Sequence, residues 1–222
     1  MKLIILFAVS LFLATGVFAQ NGSVTATPKP FRTPTKFDIN PKPLADFAYD
    51  LVKEWGAKKI DLSRNFVVVL NGVLTPDGKL DRDKSKFDVT KQTGDKKMIK
   101  VAKAAILAVG DSNYLSYLRS LNVDKVTLSL SQDDARVTGT IAGAQTTAER
   151  AKVIATGLNM TITVGKIKLT DPNSDERILL DGAKVTVDGK RFVCTFILPK
   201  PVAQEMLTRK LKEALGDKAH QP

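Results

Sequence analysis

The chain has 222 residues, 43% hydrophobic and 26% charged, the balance of an ordinary globular protein, with a net charge of +11. One cysteine, Cys194, excludes an internal disulfide, so stability has to come from packing. One histidine, His220, lies at the C-terminal end, where chains fray. A catalytic base must be held within hydrogen-bond reach of its proton, so this placement argues against Ser-His and Cys-His catalysis and most zinc sites.

The N-terminus reads as an export leader. Lys2 is a minimal positive segment, Leu3 to Leu13 an apolar run, and Val17-Phe18-Ala19 a small-x-small cleavage signal. The expectation is cleavage after Ala19 and a periplasmic or secreted address in a bacterium. The alternative is a retained membrane anchor, but Leu3 to Phe18 is 16 residues, short of the about 20 needed to cross a bilayer. A lipoprotein would need a cysteine at the cleavage site.

Residues 20–43 hold Pro28, Pro30, Pro34, Pro41 and Pro43 among Thr, Lys, Gly and Asn, the composition of an extended tether. Leu44, Phe47, Ala48, Leu51, Val52 and Trp55 then recur at helical spacing, stopping near Gly56. Trp55 is read as core packing.

A theme follows three times. Phe66 to Leu74 is an apolar strand, Thr75-Pro76-Asp77-Gly78 a turn, Lys79 to Val89 a second strand, and Asp95 to Val109 a helix. Lys125 to Ser131 turns at Asp133-Asp134 into Ala135 to Ala144 and a helix from Thr146, where Thr146 and Glu149 read as a capping box. Ala183 to Val187 turns at Asp188-Gly189 into Arg191 to Leu198 and a helix from Pro201. The turns at Asp77, Asp133 and Asp188 stand 56 and 55 residues apart, the mark of an internal strand-turn-strand-helix repeat. Between units, Ser112 is expected to cap a short helix through Leu121, Thr161 to Leu169 to continue its helix, and Asp175 to Leu180 to form another helical turn.

The fold class expected is α+β: a largely antiparallel sheet of repeated strand-turn-strand-helix units with helices mainly on one face. Residues 44–131 would form the N-terminal helix and first unit, 132–216 a second unit continuing the sheet, and 217–222 a disordered tail. Cys194 alternates with Phe192 and Phe196, so its thiol should be buried and inert. Asp171-x-Asn173-x-Asp175 and Asp81-x-Asp83-x-Ser85 begin a calcium-loop pattern, but Glu176 and Lys86 replace the turn glycine, and lysines stand beside the carboxylates. No metal, cofactor or catalytic residue is assigned.

Residues 66–131 resemble the C-terminal domain of TonB-type energy transducers. The resemblance is carried by Val67-Val68-Val69-Leu70-Asn71-Gly72-Val73-Leu74, the Pro76-Asp77-Gly78-Lys79-Leu80 turn, the helix alanines Ala102, Ala104, Ala105 and Ala108, and the strand Lys125 to Ser131. Departures are a short linker, a leader that reads as cleavable, and Gly110-Asp111-Ser112-Asn113 where the family has an aromatic-proline signature. The resemblance implies β-augmentation of a partner peptide at a sheet edge. Together these readings give a non-catalytic periplasmic binding or adaptor protein. Its expected partner is an envelope protein or an anionic envelope component, with transient membrane-surface contact and no nucleic acid. The alternatives are an anchored energy transducer and an envelope-polymer hydrolase using carboxylates alone.

Overall fold

The computed structural model describes residues 39–216. The leader, most of the tether and His220 lie outside the described residues.

Helix α1, Lys42–Gly56, starts inside the expected tether because Pro43 suits a first helical turn. It buries Leu44, Leu51 and Val52, and Trp55 packs half-buried against the core. The chain reverses at Lys58, whose φ is +55°, rather than at Gly56.

Strand β1, Phe66–Val73, alternates buried and partly exposed residues. The strand expected over Lys79 to Val89 is not continuous. Leu80 makes one bridge to Leu74, β2 is only Lys86–Phe87, a 3-10 turn covers Val89–Lys91, and β3 is Thr93–Gly94. Side chains here compete with the ladder for backbone groups. The Asp81 carboxylate accepts from the N–H groups of Asp83 and Lys84, both at 3.2 Å, and Asp88 accepts from Thr90 at 3.1 Å.

Helix α2, Lys96–Asp111, is capped by Asp95, whose carboxylate takes the N–H groups of Lys97 and Met98. Ser112 closes this helix instead of opening the next: its hydroxyl donates to the Val109 carbonyl at 2.8 Å. Asn113, at φ +62°, turns the chain, and the short α3, Ser116–Ser120, has no side-chain cap.

The second and third units form as expected. Strands β4, Lys125–Gln132, and β5, Arg136–Ala144, make a hairpin leading to α4, Ala148–Lys168. The cap of α4 is Thr147, which accepts from Arg150, and not Thr146. The helix runs unbroken through the Thr161–Lys168 stretch. Helix α5, Asp175–Asp181, precedes strands β6, Ala183–Asp188, and β7, Arg191–Pro199, and then α6, Lys200–Gly216. Gly189, at φ +56°, supplies the positive φ that the tight β6–β7 hairpin needs.

All strands pair antiparallel in one sheet of order β2-β1-β4-β5-β7-β6, with β3 also on β1. The two halves therefore share a single sheet. Register places Leu70, Leu128, Ile141, Cys194 and Val185 in one row across the covered face. The opposite face carries Thr127, Ser129, Thr140 and Thr195 and is only partly shielded. On the covered face α2 packs on β1 and β4, α4 on β6 and β7, and α6 on β5 and β7. Helix α1 forms an outer layer touching both α2 and α6. Phe192 and Leu115 are fully buried, each contributing about 1.5–3 kcal/mol through removal from water. Among the described residues no helix is long and apolar enough to cross a membrane.

Candidate functional site: an apolar chamber under the first helix

Two sheet-facing helices, α2 and α6, leave β4 and β5 incompletely covered, and the space above these strands is a chamber of about 250 Å³. Its floor is Leu128 and Leu130 of β4 with Val137, Gly139 and Ile141 of β5. Its walls are Met98, Ala102 and Ile106 of α2 on one side and Ala203, Met206 and Leu207 of α6 on the other. Phe47 and Leu51 of α1 form the roof.

The sequence produces this gap at β5. On the flanking strands β4 and β7 the covered face is filled by Leu128, Cys194 and Phe196, all buried, whereas Val137, Gly139 and Ile141 of β5 stay partly exposed. A Cβ at Gly139 would meet nothing nearer than Leu130 Cδ1 at 4.0 Å. A smaller apolar cavity, about 150 Å³, already holds benzene or xenon.

Chamber chemistry is nearly all hydrocarbon. Among the described residues Tyr114 is the one in the lining with an ionisable group, and burial pushes its phenol up, so it stays neutral. The polar side chains at one end are Gln132 and Gln204. Gln132 donates from Nε2 to the carbonyls of Leu62 and Arg64, both at 2.9 Å, and Gln204 donates to Leu62 at 3.2 Å. Outside the roof, an open cleft between α1 and α2 is lined by charged residues, including Lys53, Lys100 and the paired Lys42–Asp46 and Arg82–Asp111. Phe47, Leu51 and Val101 line both spaces, so a thin apolar partition separates cleft from chamber.

The residues singled out in the sequence are not gathered at this site. Cys194 lies in the β7 core, 1% exposed, with burial raising its thiol pKa to about 12. Asp175 sits beneath α6, paired with Arg209 and with Lys210 Nζ at 3.7 Å, which uses its charge inside the protein. Asp81 pairs with Lys84 at 2.7 Å, and the Ser85 hydroxyl accepts from the Val73 N–H at 3.0 Å, so neither calcium-like stretch presents a free oxygen cage. Among the described residues no three His, Cys, Asp or Glu side chains converge as a metal site. Sequence reasoning missed the chamber; its legible signal was Gly139 between the β-branched pairs Val137-Thr138 and Thr140-Ile141.

No known protein family, curated protein or solved structure matches this chain.

Proposed function

We propose that the chain is a non-catalytic, exported binding protein of the bacterial envelope, and that its binding element is the chamber between α2, α6 and β5. The observation that carries this reading is the open space above Gly139, an apolar volume of about 250 Å³. The lining supports binding rather than turnover, since among the described residues it offers mostly hydrocarbon, two amides and the phenol of Tyr114, which burial keeps neutral. The leader supports the address, and the likeness of residues 66–131 to transducer C-terminal domains supports an envelope setting.

Binding through a sheet edge is the less favoured reading. β1 is covered by β2 and β3, and the middle of β6 is hydrogen-bonded by Asn159. The deciding experiment is a titration of the purified mature chain with the neutral fluorophore N-phenyl-1-naphthylamine. Saturable binding by the wild type, lost in Gly139→Val, is the expected result. Equal binding by both proteins would place the probe elsewhere and overturn the chamber reading.

A further inference from the structure

We infer that the chamber takes an uncharged, single-chain lipid whose end carries a hydroxyl group, with the hydroxyl donating to Gln132. This inference rests on the chamber being a binding site and adds the chemical class of its occupant. Among the described residues no side chain lining the chamber is charged, so a carboxylate or ammonium brought inside would lose its hydration without a counter-ion. The lipid is therefore neutral where it is enclosed.

The donor requirement follows from the geometry of one amide. Gln132 is 6% exposed and lines the chamber. The group facing the Leu62 and Arg64 carbonyls must be the NH₂, because an amide oxygen there would meet two other acceptors. Both of its hydrogens are then committed, one to each carbonyl. What Gln132 has left is Oε1, an acceptor with no partner among the described residues. Gln204 is biased in the same sense, with Nε2 given to Leu62. Gln132 lines one end of the chamber with Nε2 committed elsewhere, so an acceptor is what it can offer a ligand there, and a hydroxyl is the smallest neutral donor to meet it. Phe47, Leu51 and Val101 line both the chamber and the α1–α2 cleft, and the chain enters past them.

The test is displacement of N-phenyl-1-naphthylamine from the purified protein by three ligands of equal chain length at pH 7: decan-1-ol, decyl methyl ether and decanoate. Decan-1-ol should displace about three- to tenfold more tightly than the ether, the span of one net hydrogen bond. Decanoate should be weaker than the alcohol by at least about tenfold. In Gln132→Met the alcohol and ether should become equal while ether binding persists, which shows that the chamber is still formed. Should that variant fail to fold, Gln204→Met provides the same comparison, with a reduced preference expected. Alcohol and ether binding equally to the wild type would overturn the hydroxyl assignment, and decanoate matching the alcohol would overturn the neutral class. In both cases probe binding by the chamber itself would stand. Failure of the wild type to bind the probe at all would instead remove the reading beneath.

Discussion

Asn159 of α4 hydrogen-bonds both backbone groups of Val185, giving its amide to the carbonyl at 2.7 Å and taking the N–H at 3.0 Å. Val185 is the middle of β6, the strand at the sheet's open end, so one helical side chain does there what a further strand would do. Exposed edges of this kind template association between chains. Asn159→Ala leaves both groups without that partner and should cost about 1–3 kcal/mol in urea denaturation. Sedimentation should also show concentration-dependent self-association. A variant as stable and as monomeric as the wild type would mean that water satisfies this edge equally well.

Leu80 explains a second local dependence. Its side chain is 3% exposed and fills the space between Gly72 and Gly110, where an added Cβ would lie 2.7 Å from Cδ2 and 2.6 Å from Cγ respectively. Gly110→Ala should therefore destabilise by about 1–3 kcal/mol through overpacking. In a Leu80→Ala background the same change should cost less, because Cγ and Cδ1 are gone and only Cβ, 3.0 Å away, still crowds it. Additive effects in the double-mutant cycle would show that the two sites do not press on each other.

The second and third repeats were legible because each local preference agreed with the fold. Period-two strands, an aspartate-bearing turn and a capped helix all pointed the same way around Lys125–Lys168 and Ala183–Gly216. The first repeat misled because Asp81, Asp88 and Ser85 hold backbone groups that a continuous strand would use, and side-chain competition of that kind does not show in hydrophobic period. The caps slipped for a related reason. Thr146 and Thr147 are both competent caps, and only the path of the chain out of β5 selects Thr147. The chamber was illegible because it is a difference of volumes between residues far apart in sequence. Gly139, Met206 and Phe47 look like ordinary strand and helix positions until the sheet brings them together.

Cys194 provides a reporter of opening. With its thiol buried among Phe192, Val185 and Phe196 and its pKa raised to about 12, the thiolate fraction at pH 8 is very small. Maleimide labelling of the native protein should therefore follow the global unfolding equilibrium, with rates rising in parallel with urea. Labelling that is fast in the absence of denaturant would show that β6 and β7 open locally.

Acid should weaken the fold through its turn aspartates. The Asp133 carboxylate accepts the N–H groups of Ala135 and Arg136, both at 2.8 Å, and these bonds hold its pKa below the usual value. Asp61, hydrogen-bonded to Ser63, and Asp77, hydrogen-bonded to Thr75, shift the same way. A pKa lower in the folded than in the unfolded state gives stability that is complete above the unfolded value, about 3.9, and lost as pH falls through the folded one. The denaturation midpoint should be insensitive to these groups between pH 7 and about pH 5 and decline below about pH 4. Asp133→Asn keeps an acceptor at every pH, so it should flatten part of that decline; an unchanged slope would assign the acid sensitivity to other groups.

Gly139→Val should raise stability, which is the reverse of what a substitution in the centre of a packed sheet normally does. The strand register places the new side chain between Leu130 and Phe196 on the covered face, facing the chamber. Backbone strain does not oppose it, because Gly139 is not among the glycines with positive φ. Three terms act in the same direction: apolar atoms enter an unfilled volume, a β-branched residue replaces a poor strand former, and the unfolded chain loses freedom. Together they should contribute about 1–2 kcal/mol, the usual yield of a cavity-filling change. Urea denaturation of wild type and variant, each stripped of hydrophobic ligand and then repeated with decan-1-ol, gives the complete comparison. The variant should be the more stable of the two when stripped, and the alcohol should narrow the difference by stabilising the wild type alone. A stripped variant less stable than the wild type would mean that the helices close over β5 in solution and leave no room above Gly139.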